Sequence, residues 1–250
     1  YSVTGVQTCA LPIFPVIGGF VGGDTVAGML ATQIADVPGP SIMVDIGTNG
    51  EIVLAHEGRL WAASTAAGPA FEGARISCGM RATRGAIEKV TITDDVHCGV
   101  IDGAPPVGLC GSGLIDLVAE LLRRGIIAPD GRILPPEMLP DNVPDALRHR
   151  TQVNQEGEAR FVLAANACGK ESAEVALTQR DVRELQLASG AIRAGIAILL
   201  KFAGLAMGDV AQVLVAGGFG SFIRRSNAQR IGLLPPELPH QRIRYVGNTS

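Results

Sequence analysis

The stretch from Val44 to Glu51, VDIGTNGE, sets Asp45 at the end of an apolar run and follows it with Gly47, Thr48, Asn49 and Gly50. A carboxylate beside a row of backbone N–H groups suits phosphate chemistry. The turn wraps phosphate oxygens while the aspartate holds Mg2+ or orients a water molecule. A plain hairpin with an aspartate in its turn would carry the same letters. A second stretch, VLVAGGFGS from Val213 to Ser221, ends another apolar run in Gly217, Gly218 and Gly220. Positions without Cβ let a nucleotide approach the backbone, and they serve equally well as a packing turn.

These two loops need strands to hold them. SIMVDIGT, EIVLAHEG and RLWAASTAAG read as three successive strands, and Asn49-Gly50 is the strongest hairpin signal, predicting a type I′ turn. Glu57-Gly58 predicts the next turn. GAIEKVTIT and VHCGVIDG form a further strand pair. GSGLIDLVAELLRRG predicts a helix with Ser112 as N-cap and Gly125 as its stop. Ile126 to Gly157 is rich in proline and polar residues and reads as a surface excursion. A long helix follows, opened by the Thr178/Asp181 capping pattern. The strand VAQVLVAGG, a helical NAQRIGLL and a last strand RIRYVGN end the chain. Upstream, PVIGGFVGGDTVAGMLATQI reads as strand, turn and helix, the helix start marked by Asp24 or Thr25, and VPGP breaks the chain after it. Three meandering strands, then helix–strand–helix–strand, predict an α/β fold: an RNase H-like mixed sheet with flanking helices.

Composition narrows the function classes. In 250 residues, 47% are apolar, enough for a core, and the net charge of −3 gives no polyanion-binding signature, so nucleic acid is not expected as a partner. The apolar run AIRAGIAILLKFAGLAM is interrupted by Arg193 and Lys201 and reads as a core helix that falls short of a membrane span. No membrane association is expected, and the default compartment is cytoplasmic. Cys9, Cys78, Cys98, Cys110 and Cys168 contain no C-x-x-C pair, which disfavours zinc and disulfide frameworks. His56, His97, His149 and His240 lack metal spacing, and the arginines of Arg148–Arg150 and Arg224-Arg225 read as solvated faces. Arg224 stands out because it lies just past the glycine bend.

The opening differs in kind from the rest. VTGVQTCALPI, Val3 to Ile13, has no charge or periodicity and matches the reading-frame translation of a common sequencing adapter. Residues 1–13 are therefore expected to be an assembly scar. In that reading, residues 14–40 are the remnant of a lost first lobe, and 41–250 form one nucleotide-binding lobe with the 126–157 excursion.

GFVGGDT, DIGTNGEIVL, AAGPAFEGARISCGMRATRGAIE, GLCGSGLIDLVAELL, LTQRDVRELQLASGAIRAGI, VLVAGGFGSFI and the closing VGN run in one order through the chain. By these phrases it resembles the C-terminal ATPase domain of the reductive activators of corrinoid proteins, within the sugar-kinase, heat-shock-protein and actin superfamily. The resemblance implies the second lobe of an actin-like ATPase fold, truncated at both ends. It implies ATP and Mg2+ as cofactors, with Asp45 acting on Mg2+ or the attacking water. Gly47, Thr48, Asn49 and Gly50 would contact phosphate, and Gly217, Gly218 and Gly220 would border the adenosine. Gly68 and Glu72 of AAGPAFEGA would line the same cleft or simply make a tight turn before a helix.

The family further implies a [2Fe–2S] ferredoxin domain, whose cysteine spacing is not found among these cysteines. The implied parent activity uses ATP to return Co(II) corrinoid proteins of methyltransferase systems to Co(I), and a homodimer is compatible with it. Two competing readings stay open. In one, the chain resembles the activators of 2-hydroxyacyl-CoA dehydratases, with Cys110 as the cluster ligand and Cys168 as a candidate second. In the other, it is a nucleotide-switched, non-enzymatic actin-like scaffold.

Overall fold

A computed structural model describes residues 17–18, 21–165, 174–218 and 222–247. The adapter-like stretch, Cys168, Gly220 and Asn248 fall outside the described residues. In chain order the strands are β1 (Ser41–Ile46), β2 (Gly50–His56), β3 (Arg59–Thr65), β4 (Ala86–Ile92), β5 (Val96–Val100), β6 (Gly108–Leu109), β7 (Thr151–Val153), β8 (Ala159–Ala164), β9 (Val175–Thr178), β10 (Gln212–Ala216) and β11 (Ile243–Gly247). The α-helices are α1 (Gly23–Thr32), α2 (Gly111–Arg124), α3 (Asp145–Arg150), α4 (Gln179–Ala203) and α5 (Arg225–Arg230).

Five strands make the central sheet in the order β11-β10-β1-β2-β3. β1 pairs parallel with β10 and antiparallel with β2; β2 and β3 are antiparallel, and β10 and β11 parallel. This is the RNase H-like mixed sheet expected from the meander followed by helix–strand–helix–strand. Its middle strand is apolar almost throughout because both faces are covered. Ile42, Val44, Ile46, Ile52 and Leu54 face the main core, which includes Ile192 and Ile196 of α4. Met43, Val53, Ala55, Leu214 and Ala216 face the other way and pack with Ile34 and with Met29 of α1.

Alternation along β1 therefore puts Asp45 on the same side as Met43, the side that α1 covers. Two smaller sheets, β5-β4-β6 and β7-β8-β9, hang from the main one, and α2 packs across β4.

Several local expectations are met. Thr178 caps α4 in a reciprocal capping box with Asp181, and Gly125 ends α2 at φ 71°. Glu57 and Gly58 both have positive φ, as a tight β2–β3 turn requires.

Others are corrected. Neither Asn49 nor Gly50 has positive φ, so the type I′ turn is not there. The β1–β2 connection is Gly47–Asn49, closed by the Gly47 N–H donating to the Asn49 carbonyl at 3.1 Å. Gly50 is needed for a different reason: a Cβ would stand 2.7 Å from Thr65 Oγ1 and 2.9 Å from Ile192 Cγ1. Its bareness lets α4 lie close against the hairpin.

The cap of α1 is Gly22, with Asp24 inside the first turn, and that of α2 is Cys110, while Ser112 donates to the Glu88 carbonyl at 2.9 Å. The 126–157 segment is more than a surface excursion, since Ile126, Ile127, Ile133, Leu139, Val143 and Leu147 are buried in the main core. By length and composition α4 is after all apolar enough to cross a membrane, but it buries Val182, Leu185, Ile192 and Ile196 against the protein.

Candidate functional site

Asp45 and Ala216 are register partners in the parallel β1–β10 pair, so the two loops that leave these strands emerge side by side. Gly217, at φ 96°, passes so near β1 that a Cβ would lie 2.5 Å from the Ile46 carbonyl oxygen and 2.7 Å from Asp45 Oδ1. Only glycine fits that approach. The hairpin and the glycine bend thus share one edge of one sheet, as their chemistry required.

Between them lies a cavity of about 380 Å3, lined by Asp24, Asp45, Ile46, Gly47, Thr48, Asn49, Glu51, Glu72, Gly217 and Gly218. Glu72 ends the 3-10 turn Pro69–Glu72 and accepts a hydrogen bond from the Thr48 hydroxyl, closing the cavity on the hairpin side. Asp181, fully buried, accepts from the Ser77 backbone N–H at 2.7 Å while it completes the α4 cap.

The wall is acidic. Asp45 and Glu51 sit directly opposite in the β1–β2 register and Asp24 comes from α1. Burial pushes the Asp45 carboxyl above its ordinary value and Asp24 adds to the rise; Glu51 is raised by burial and by Asp24, with Asp45 contributing. Like charges facing each other across a strand pair disfavour ionisation unless a cation intervenes. Among the described residues no three His, Cys, Asp or Glu side chains converge to hold a metal unaided. The donor set nonetheless suits Mg2+, which binds through one or two carboxylates and completes its shell with water and phosphate oxygens. Asp45, with Glu51 or Asp24, would hold it.

A second cavity of about 620 Å3 adjoins the first through Glu72 and Gly218. Met80, Ala82, Ile101, Cys110, Ser112 and Phe222 supply its mostly apolar lining. Cys110 is buried there, its Sγ 3.4 Å from the Ile87 carbonyl and 3.4 Å from Ser112 Oγ. It is a core thiol at a helix cap.

Residues 39–250 match the model of the C-terminal domain of RACo, the ASKHA domain. The chain belongs to this family. As an ASKHA domain it carries the nucleotide-binding fold, and it is similar to two curated relatives. One, 39% identical over 99% of the chain, is the corrinoid activation enzyme RamQ of Eubacterium limosum; the match covers 42% of that protein. The other, 29% identical over 98% of the chain and 44% of the relative, is the [Co(II) methylated amine-specific corrinoid protein] reductase of Methanosarcina barkeri. Among solved structures, a reductive activator for corrinoid, iron-sulfur protein superposes with a TM-score of 0.79 at 38% identity. That match covers 95% of this chain and 36% of the solved one. The chain thus spans less than half the length of each of these proteins.

Of the residues singled out by sequence, Asp45, Gly47, Thr48, Asn49, Glu72, Gly217 and Gly218 line the acidic cavity of this ASKHA domain, and Glu72 and Gly218 also line the apolar one. Gly50 lies beneath α4, and Gly68, at φ 75°, makes the turn before Pro69 and lines neither cavity. Gly220 falls outside the described residues. Sequence reasoning missed Asp24 and Glu51. Glu51 could have been found, because strand pairing across a hairpin sets it opposite Asp45. Asp24 could not, since only the packing of α1 on the sheet brings it there. The expectation of solvated arginines fails for two of them, since Arg150 pairs with Asp95 at 2.5 Å and Arg224 with Asp116 at 2.6 Å, whereas Arg225 is exposed and lies 5.3 Å over the Tyr245 ring.

Proposed function

We propose that this chain is the nucleotide-binding lobe of an ATP-dependent reductive activator that returns Co(II) corrinoid proteins of a methyltransferase system to Co(I). The observation that carries it is the junction at Glu72 and Gly218 of an acidic cavity with an apolar one. Such a pair suits a nucleotide: metal and phosphates at the carboxylates, base and ribose against Met80, Ile101 and Phe222. Thr48 and Asn49 present backbone N–H groups to the phosphate oxygens beside Gly47, whose own N–H closes the turn, and Asp45 orients the attacking water or the ion. Mg2+, when bound, neutralises charge on the phosphates. Gly217 keeps the backbone low enough for the nucleotide to pass over the strand end.

In the proposed parent protein, one electron passes from a [2Fe–2S] domain to cobalt, and nucleotide turnover biases the complex in which that transfer occurs. Family membership and the names borne by the relatives support this assignment; a cytoplasmic setting accords with it. Residues 14–40 are read as the joint to a first lobe and 41–250 as the lobe itself. With one wall of the phosphate clamp, the isolated chain is expected to bind nucleotide and to hydrolyse it negligibly.

Calorimetric titration with Mg-ATP tests the assignment. Saturable binding that Asp45→Asn weakens by about 10- to 100-fold is expected. Absence of binding to both the chain and a full-length relative carrying its sequence would overturn the reading.

A further inference from the structure

One joint lies outside the linings of the acidic and apolar cavities, with its Arg224 bordering a third cavity of about 300 Å3. Asp116, on the second turn of α2, has a side chain only 2% exposed. Its carboxylate accepts from Arg224 Nη2 at 2.6 Å, from Asn227 Nδ2 at 2.6 Å and from the Val90 backbone N–H at 3.2 Å. Arg224 Nη2 also donates to the Val90 carbonyl at 2.7 Å. One carboxylate therefore ties three pieces together: α2, strand β4, and the stretch that carries Arg224 into α5.

What these pieces have in common is the apolar cavity. One turn before Asp116, α2 begins with Cys110 as its cap and Ser112, and both line that cavity. Two residues before Arg224 stands Phe222, which lines the opposite side with Gly218. The joint thus ties the helix that begins with Cys110 and Ser112 to the stretch that follows Phe222. By contrast, the acidic cavity is built on the β1–β2 hairpin and the β1–β10 pairing, and Asp116's hydrogen-bond partners Val90, Arg224 and Asn227 are not among its lining residues.

A buried ion pair contributes little net stability once desolvation is counted, so its clearest effect is on geometry. Resting on the nucleotide reading, we propose that Asp116 is a positioning residue for the nucleoside end of the nucleotide. It acts through Arg224 and Asn227 on the wall that Phe222 supplies, and leaves the phosphate end unaffected.

The test compares two ligands on the 250-residue chain, Mg-ATP and Mg-tripolyphosphate, which lacks the nucleoside. Asp116→Asn is expected to raise the ATP dissociation constant about tenfold and leave tripolyphosphate unchanged. Arg224→Lys, which keeps one charged donor, should give an intermediate loss, and Asp116→Asn/Arg224→Gln together should cost no more than the worse single change. If Asp116→Asn fails to fold, Arg224→Lys and Asn227→Ser, which retain the carboxylate, carry the comparison. Equal losses for both ligands, or no loss for ATP, would overturn the inference while the nucleotide reading stood. A wild-type chain that binds neither ligand would overturn both.

Discussion

Asp45 and Asp116 are both set into the protein, and burial raises both carboxyls above their ordinary values. Their surroundings are opposite. Asp116 is met by an amide, a guanidinium and a backbone N–H, all of which pull its value back down. At Asp45 nothing does so, and the neighbouring Asp24 pushes further up. A buried carboxylate with its full set of donors is a joint; one facing other carboxylates across a cavity is half of a binding site that a cation completes. Charge and burial alone do not separate the two roles, whereas the partners do.

The comparison breaks if the two residues respond alike. The largest effect is expected at the joint: Asp116→Ala leaves Arg224 without its counter-ion and should cost about 3–5 kcal/mol, read as a shift in the denaturation midpoint. A loss under 1 kcal/mol would mean that Asp116 is not a joint. Next comes Gly217→Ala. The new methyl would meet the Ile46 carbonyl at a left-handed backbone angle, and a loss of about 1–3 kcal/mol is expected together with weaker Mg-ATP binding. Unchanged binding by a destabilised variant would separate the bend from the site. Thr178→Ala removes one arm of the α4 capping box and should cost about 1 kcal/mol with nucleotide affinity intact.

The smallest effect has the opposite sign. Because Asp45 and Glu51 are raised in the folded chain, the folded state holds more protons than the unfolded one in the window between their ordinary and raised values. Stability attributable to them is present below the ordinary carboxylate value and declines as pH climbs through the raised ones. Asp45→Asn should therefore flatten that decline and slightly raise the melting temperature at neutral pH while it weakens Mg-ATP binding. Melting curves across pH 4–7 check this. A variant that melts lower at every pH would remove the distinction from Asp116.

Much of this was legible in the letters. Apolar runs bounded by turn residues marked out the central sheet, and the T-x-x-D pattern marked the start of α4. Glu57-Gly58 is legible as a tight turn because its local chemistry and its environment agree. Asn49-Gly50 misleads because the two conflict there. The local preference is for positive φ, but the glycine is kept for the methyl group that α4 has no room for. The 126–157 segment misled for a similar reason: its prolines and polar residues suggest exposure, while its spaced isoleucines and leucines reach the core. Arg150 and Arg224 look like solvent charges until their partners Asp95 and Asp116 are known.

Local sequence was enough for the β1–β3 meander, the β4–β5 pair, the helices α2 and α4, the strands β10 and β11, the aspartate at the end of β1 and the glycine bend after β10, but not for β6 to β9 or α3. The former depend on hydrophobic periodicity and on turn chemistry within a few residues. Tertiary structure alone decided that Asp24 joins Asp45, that Asp116 clasps Arg224, and that Gly50 yields space to α4. Each brings together groups far apart in the chain, and their contact energy exists only after the sheet and its covering helices have packed.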